Sequence, residues 1–208
     1  DEITSYINQH TPRRAVIVGA GFIGLEMADN LHHLGIFVTI VEMADQVMSI
    51  LDYEMAAEVH QHLKVKNVEF YLADAVSAFQ ETEDGVTVHL KSGKALEAEL
   101  VIMSIGVRPE TKLVKESGLE LGNLGGIAVD AELKTSDPNI YALGDAIEFP
   151  HPVSGQNVKT PLAGPANKQA RILADNIALG AKKKYRGPLG TGIAKVFDIT
   201  VASTGMSE

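Results

Sequence analysis

An α/β fold organised around a parallel sheet, with one crossover made of antiparallel strands instead of a helix, is what this sequence predicts. Three observations carry that prediction. An apolar run at 15–18 meets the turn Gly19-Ala-Gly-Phe-Ile-Gly24, and an apolar-periodic segment at 25–31 follows at once. A second apolar run at 37–41 ends in an acid, Glu42. Further on, short β-like runs at 75–79, 85–90 and 96–100 are punctuated by Glu83-Asp-Gly85 and Lys91-Ser-Gly93, where a crossover helix would otherwise stand.

Taken in order, residues 1–10 are polar and, closing on Thr11-Pro12, predict a linker entering the first strand. Strand, glycine turn and helix then follow in the setting that gives G-x-G-x-x-G its meaning. The first glycine permits the tight turn, the second lets the backbone approach a pyrophosphate, and the third lets helix and strand pack closely. The helix N-terminus adds unpaired N–H groups and a positive dipole end. After Glu42 a helix is expected over 52–66, capped by Asp52, with Met55, Val59, Leu63 and Val65 or Lys66 near one face. Asn67 stops it before a third strand at 68–72.

The antiparallel runs come next, and the chain returns through Leu100-Val-Ile-Met-Ser-Ile105, apolar enough for a parallel strand buried on both faces. It ends at Gly106-Val-Arg-Pro109, where the proline disfavours a helix start. A loop-rich stretch with Gly118, Gly122, Gly125 and Gly126 leads to a short strand at 127–130. A helix is expected from about Pro165 to Leu179, stopped by Gly180, and a last strand-like core at 199–202.

Composition narrows the function classes. The 208 residues are 45% hydrophobic and 22% charged, as in a globular protein. A formal charge of −9 argues against nucleic acid or an anionic membrane as partner. Lys182-Lys-Lys-Tyr-Arg186, the one dense basic patch, reads as a solvated helix end. No apolar run approaches the roughly 18 residues that span a bilayer, and the opening Asp1-Glu-Ile-Thr does not read as a signal peptide, so a cytoplasmic location is expected. Cysteine is absent, which excludes disulfides and thiol redox chemistry carried by these residues themselves. The seven histidines lack metal-ligand spacing, since His32 and His33 are adjacent and His60 and His62 are two apart; all seven read as surface or packing residues, and no metal is expected.

The chemistry thus points to a dinucleotide on a Rossmann-like half. Glu42 lies 23 residues after Gly19, close to the roughly 20-residue spacing at which an acid grips the adenosine ribose. That carboxylate would repel a 2′-phosphate, and Met43, Ala44 and Asp45 supply no cation to accommodate one. NADH is therefore expected over NADPH.

Three motifs in order resemble the FAD-dependent pyridine nucleotide-disulfide oxidoreductases, most of all the coenzyme A disulfide reductase, NADH oxidase and NADH peroxidase branch. They are the glycine turn with Glu42, the strand Val101-Ile-Met-Ser-Ile-Gly-Val-Arg-Pro109, and Thr135-Ser-Asp-Pro-Asn-Ile-Tyr-Ala-Leu-Gly-Asp145, which looks like the family's second flavin-binding motif. The stretch Pro161-Leu-Ala-Gly-Pro-Ala-Asn-Lys-Gln-Ala-Arg171 favours the coenzyme A disulfide or persulfide reductase end of that branch.

The resemblance implies roles by residue. Gly19, Gly21, Ile23 and Gly24 belong to the turn that holds the NADH pyrophosphate, Glu42 takes the ribose, and Gly106 approaches the dinucleotide. Phe22 occupies a position that gates the flavin face in relatives. Glu26 would sit near the nicotinamide carboxamide, as a first-turn carboxylate favoured by the helix dipole. Asp145 would accept a hydrogen bond from the flavin ribityl chain, and Leu162 and Ala163 would present backbone amides to the flavin pyrimidine edge.

The resemblance also implies domains: a linker at 1–10, an NAD-binding domain at 11–109, the C-terminal half of a FAD-binding domain at 110–187, and the first strand of an interface (dimerisation) domain at 188–208. The family's first glycine motif and redox cysteine are not in this sequence, so a fragment with an incomplete FAD-domain half is expected, inactive by itself. Its 127–145 segment and its last helix should expose apolar surface or dock elsewhere. The full protein would be a homodimer that passes hydride from NADH to FAD and on to a disulfide or persulfide, with a coenzyme A-linked one among the expected substrates. An NADH oxidase, a ferredoxin-reductase-like carrier and a non-catalytic NAD-sensing module are the other readings.

Overall fold

In the computed structural model, which describes residues 2–207, the chain forms two compact units. The first comprises residues 2–106, 193–202 and 207; the second comprises 107–192 and 203–206.

The first unit opens with a helix, α1 (Glu2–His10), where a linker was expected. Ile3, Tyr6, Ile7 and His10 fall at helical spacing, which gives these polar residues one adhesive stripe. Ile7 packs against the core, and the Tyr6 hydroxyl donates to the Glu99 carbonyl at 2.8 Å. Then come β1 (Arg14–Val18), α2 (Phe22–His33), β2 (Phe37–Val41), α3 (Tyr53–Val65) and β3 (Glu69–Tyr71). Next are β4 (Val76–Thr82), β5 (Gly85–Leu90), β6 (Ala95–Ala98) and β7 (Leu100–Met103).

Strands β1, β2, β3 and β7 make a parallel sheet in the order β3-β2-β1-β7, while β4, β5 and β6 form the expected antiparallel meander. The strand expected to be buried on both faces, β7, is only half-buried over Leu100–Ile102 and exposed at Met103 (51%), and it lies at the edge of the sheet. An apolar run reports hydrophobicity, not the number of neighbours its strand will have.

Register fixes where the sheet is open to a ligand. Val18 pairs with Val41 and Met103, and Val41 pairs with Tyr71. The residues that follow, Gly19, Glu42 and Ser104, therefore leave the sheet at one edge. The chain runs outward from β1 through β2 to β3, then returns to the other side of β1 as β7, so the strand order reverses between β1 and β7. Ligands of open α/β sheets bind in the crevice outside the carboxyl ends at such a reversal.

The core supports that edge. Gly24, Leu25, Ala28 and Leu31 form the buried stripe of α2. In α3 the buried residues are Ala56, Val59, His60 and Leu63, so the stripe is rotated from the expected one, and Met55 and Val65 are exposed. Burying a side chain such as Leu25 or Leu31 contributes about 1.5–3 kcal/mol.

The final segment was expected to begin another domain with one strand. It makes a two-stranded sheet of β11 (Gly192–Val196) and β12 (Ile199–Ser203). Ala194, Val196 and Phe197 are buried in the core that contains α2 and α3. Phe197 lies edge-on to His32 and His62, the Asp198 amide donates to the His62 ring, and Asp198 pairs with Lys66.

The start of β1 is clamped by one carboxylate. Glu99 accepts from the Arg13 and Arg14 amides and, through its other oxygen, from the Arg14 guanidinium at 2.7 Å. Burial pushes the Glu99 carboxyl up, but the Arg14 side chain and the two amides outweigh it and hold the group below its ordinary value of 4.5. A carboxyl depressed in the folded state stabilises fully above the unfolded value and loses that contribution as pH falls through the folded one. The melting temperature should therefore drop on acidification below pH 4.5, and Glu99→Gln should flatten part of that drop; identical acid profiles would contradict the clamp.

The second unit has a smaller core. Its elements are α4 (Lys112–Glu116), β8 (Ile127–Ala128), β9 (Ile147–Pro150), β10 (Asn157–Val158) and α5 (Ala163–Leu179). Strand β9 lies between β8, its parallel neighbour, and β10, its antiparallel one. Ile127, Leu133, Ile147, Phe149, Leu173 and Tyr185 are buried together. The strand expected over 127–130 is two residues long, and α4, β9 and β10 were not anticipated. Helix α5 begins two residues before Pro165. Proline fits there because the first four helical N–H groups have no intrahelical partner anyway. Ile177 and Leu179 on α5 are exposed, as expected of that helix.

Candidate functional site

A cleft of about 610 Å³ opens at the carboxyl edge of the parallel sheet, wholly within the first unit. Its floor is the glycine turn, and its walls include Glu42, Ser104 and Gly106. Met43, Phe79 and Ile105 add exposed apolar surface that suits a flat heteroaromatic ring. No lysine or arginine is among the described residues that line it. An anion here would be held by backbone amides.

The three glycines differ in what requires them. Gly19 has φ +105°, and a Cβ there would lie 2.5 Å from the Ser104 carbonyl oxygen. A Cβ on Gly24 would lie 2.0 Å from the Gly19 oxygen. Both are demanded by the packing of turn, helix and β7. Gly21 is different: it is the N-cap of α2 with φ −77°, and a Cβ would meet nothing within 4 Å. The protein itself does not need that glycine, whereas a phosphate approaching the helix N-terminus would. Gly106 has φ +95° and likewise faces open space.

Glu42 sits against this turn. Its Oε2 accepts from the Ala20 amide at 2.6 Å and its Oε1 from the Ala44 amide at 2.9 Å. A carboxylate offers about four lone-pair sites, so two remain for ribose hydroxyls. Asp74, also at the cleft, is already engaged: the Ser92 hydroxyl and the amides of Ala75 and Ser92 hold it below the usual carboxylate range, marking it as a turn-forming residue.

The structure thus brings together Gly19, Gly21, Gly24, Glu42 and Gly106. Phe22 is partly buried against the core, and Ile23, on the same first turn of α2, is exposed. Glu26 is exposed but stands fifth in α2, and the first turn holds no acid. The dipole argument for it is therefore corrected, because that effect fades beyond the first turn.

Ser104 was missed by sequence reasoning. Its hydroxyl donates to the carbonyls of Val18 and Gly19, both at 3.0 Å, tying β7 to the turn. A lone small polar residue in an otherwise apolar strand was the available signal.

Asp145, Leu162 and Ala163 belong to the second unit. Asp145 lies in a 3-10 turn (Gly144–Ala146), and the Gly144 amide donates to Gln169 of α5 at 2.7 Å. That bond sets the turn beside the opening of α5, whose N-cap, Leu162, makes no side-chain cap. The opening amides of α5 remain uncapped by any side chain, which fits an electron-rich ring edge.

The family model of the pyridine nucleotide-disulphide oxidoreductases matches residues 1–170, and the chain belongs to that family of enzymes. Coenzyme A disulfide reductase of Staphylococcus haemolyticus is 31% identical over 206 residues, which is 99% of this chain and 46% of the relative. The crystal structure of reduced Bacillus anthracis CoADR-RHD is 50% identical with a TM-score of 0.96, covering 100% of this chain and 37% of that one. A NAD-dependent persulfide reductase from A. fulgidus is 38% identical with a TM-score of 0.94, covering 100% of this chain and 38% of that one. The chain therefore spans about half the length of its curated relative. Among the described residues, no helix is long and apolar enough to cross a membrane.

Proposed function

We propose that this chain binds NADH in the cleft of its first unit. The observation that carries the reading is the Glu42 carboxylate resting on the glycine turn at the sheet's carboxyl edge, beside a Gly21 that only a ligand requires. The α2 amides would hold the pyrophosphate and Glu42 the adenosine ribose, with Phe22, Ile23, Glu26 and Gly106 flanking the remainder.

In the second unit, Asp145 and the start of α5 at Leu162 and Ala163 would contribute to FAD binding. When bound, the flavin would accept hydride from NADH and release electrons onward. The full oxidoreductase would deliver them through a cysteine to a small disulfide or persulfide, with coenzyme A as the carrier favoured by the Staphylococcus haemolyticus relative. A homodimer in the cytoplasm completes this reading.

Calorimetric titration tests it directly. NADH should bind at one site per chain, and NADPH roughly tenfold or more weaker, a difference of about 1.4 kcal/mol. Equal affinities would remove the assigned role of Glu42, and absence of any binding would remove the site.

A further inference from the structure

The loop between β2 and α3 contains a strained residue held under tension by a buried histidine. Met48 has φ +48°, a left-handed conformation unfavourable for a non-glycine residue, and it is nonetheless buried. Strain of this kind persists only where the surroundings over-determine it. Here the restraints are explicit. The Val47 amide donates to His60 Nε2 at 3.1 Å, and the Met48 amide donates to the Ala20 carbonyl at 2.9 Å. Gln46 donates to the Leu51 carbonyl, and the Leu51 amide donates to the Met48 carbonyl.

Two of these bonds are consecutive along the chain and reach opposite ends of the site. One ends on His60, in the buried stripe of α3. The other ends on Ala20, inside the glycine turn. In a trans peptide the C=O and N–H point in opposite directions. Anchoring the Ala20 carbonyl on Met48 therefore turns the Gly21 N–H away from the 46–51 loop and fixes the peptide plane at the N-cap of α2.

We propose that His60, as a neutral imidazole, is a positioning residue for the dinucleotide: it clamps the 46–51 loop, and the loop orients the Ala20–Gly21 peptide that meets the pyrophosphate. This rests on the NADH reading of the cleft. Accepting at Nε2 requires the tautomer with hydrogen on Nδ1. A proton on Nε2 would set N–H against N–H, orphan the buried Val47 amide, and let Met48 relax out of its left-handed conformation. The Ala20 carbonyl would then lose its partner.

The surroundings of His60 oppose that proton. Burial pushes its pKa below the ordinary 6.5, and the Lys64 ammonium one turn along α3 adds to the effect. Phe70 of β3 lies 5.5 Å from the ring and Tyr53 of α3 6.4 Å; from the loop side the contact is the Val47 amide. A histidine depressed in the folded state keeps the clamp complete above 6.5 and loses it as pH falls through the folded value.

The experiment titrates NAD+ (stable in acid, unlike NADH) into the chain from about pH 8 to about pH 5, the histidine range. The unmodified chain should lose about tenfold in affinity as pH falls through the folded value of His60, as expected for one buried hydrogen bond. His60→Gln places an acceptor that does not titrate where Nε2 stands. It should bind as the unmodified chain does at high pH and keep that affinity in acid. His60→Phe keeps the ring and removes the acceptor, and should be about tenfold weaker throughout. Should His60→Phe fail to fold, the other two pH series still decide the matter. Parallel profiles for the unmodified chain and His60→Gln would overturn the proposal while leaving the NADH site intact. No binding by the unmodified chain at pH 8 would overturn both.

Discussion

Gly24→Ala should destabilise the first unit severely, whereas Gly21→Val should leave it folded and weaken nucleotide binding about a hundredfold. The new methyl on residue 24 would lie 2.0 Å from the Gly19 oxygen and 2.8 Å from Ser104 Oγ. Those atoms already bond to each other, so neither can yield alone. Helix α2 must move off β1, at a cost of at least about 3 kcal/mol in a denaturant titration. At residue 21 the side chain projects into empty space from an ordinary φ, and the loss should be no more than about 1 kcal/mol from weaker N-capping. Its isopropyl group would nevertheless occupy the approach to the helix N-terminus. An affinity loss on the order of a hundredfold is expected by calorimetry, equivalent to about 2.7 kcal/mol. Nucleotide binding by Gly21→Val at normal strength would place the ligand elsewhere, and an unchanged midpoint for Gly24→Ala would refute the packing account.

Glu42→Gln is expected to erase discrimination between NADH and NADPH. The substitution is nearly isosteric, yet one of the two amides now bonded, Ala20 or Ala44, would face the carboxamide NH2 instead of an oxygen. The orphaned amide weakens the turn in free and bound protein alike, whereas the ribose hydroxyls lose a charge-assisted acceptor, worth about 1.5–3 kcal/mol, so NADH affinity should fall by roughly tenfold or more. Removal of the negative charge acts in the opposite direction on NADPH, whose 2′-phosphate no longer meets a carboxylate. The two affinities should converge to within a few-fold. A preference for NADH that survives intact would show that something other than Glu42 reads the ribose.

Much of the site was legible because its requirements are local. A tight turn, a helix N-terminus and a strand-end acid are written in consecutive residues, and 15–18, 19–24, 37–41 and 42 appear where expected. The meander was legible for the same reason, since Glu83-Asp-Gly85 and Lys91-Ser-Gly93 announce its turns. What escaped depends on distant partners. Helix α1 is held by Ile7 and by Tyr6 on Glu99, contacts more than ninety positions away in the second case. The edge position of β7 follows from strand order, which no hydrophobic run encodes. Ser104 and His60 matter through bonds to Gly19 and Val47; a lone serine closing an apolar run hints at a polar partner without naming it, and a histidine in a helix carries no such mark. The same limit rotated the buried stripe of α3: counting apolar residues favoured Met55 over Ala56 and His60, whereas packing selected the small side chain and the one with a bond to make.

The return of β11 to the first unit has a consequence for biosynthesis. Phe197, only 1% exposed, packs on His32 and His62, which leave the ribosome more than a hundred codons earlier. Until it arrives, the rings of His32 and His62 lack the neighbour they clasp in the finished molecule. Closing so long a loop adds little entropy per extra residue but delays the last contacts. The nascent first unit must therefore wait, incompletely sealed, while the whole intervening segment is translated.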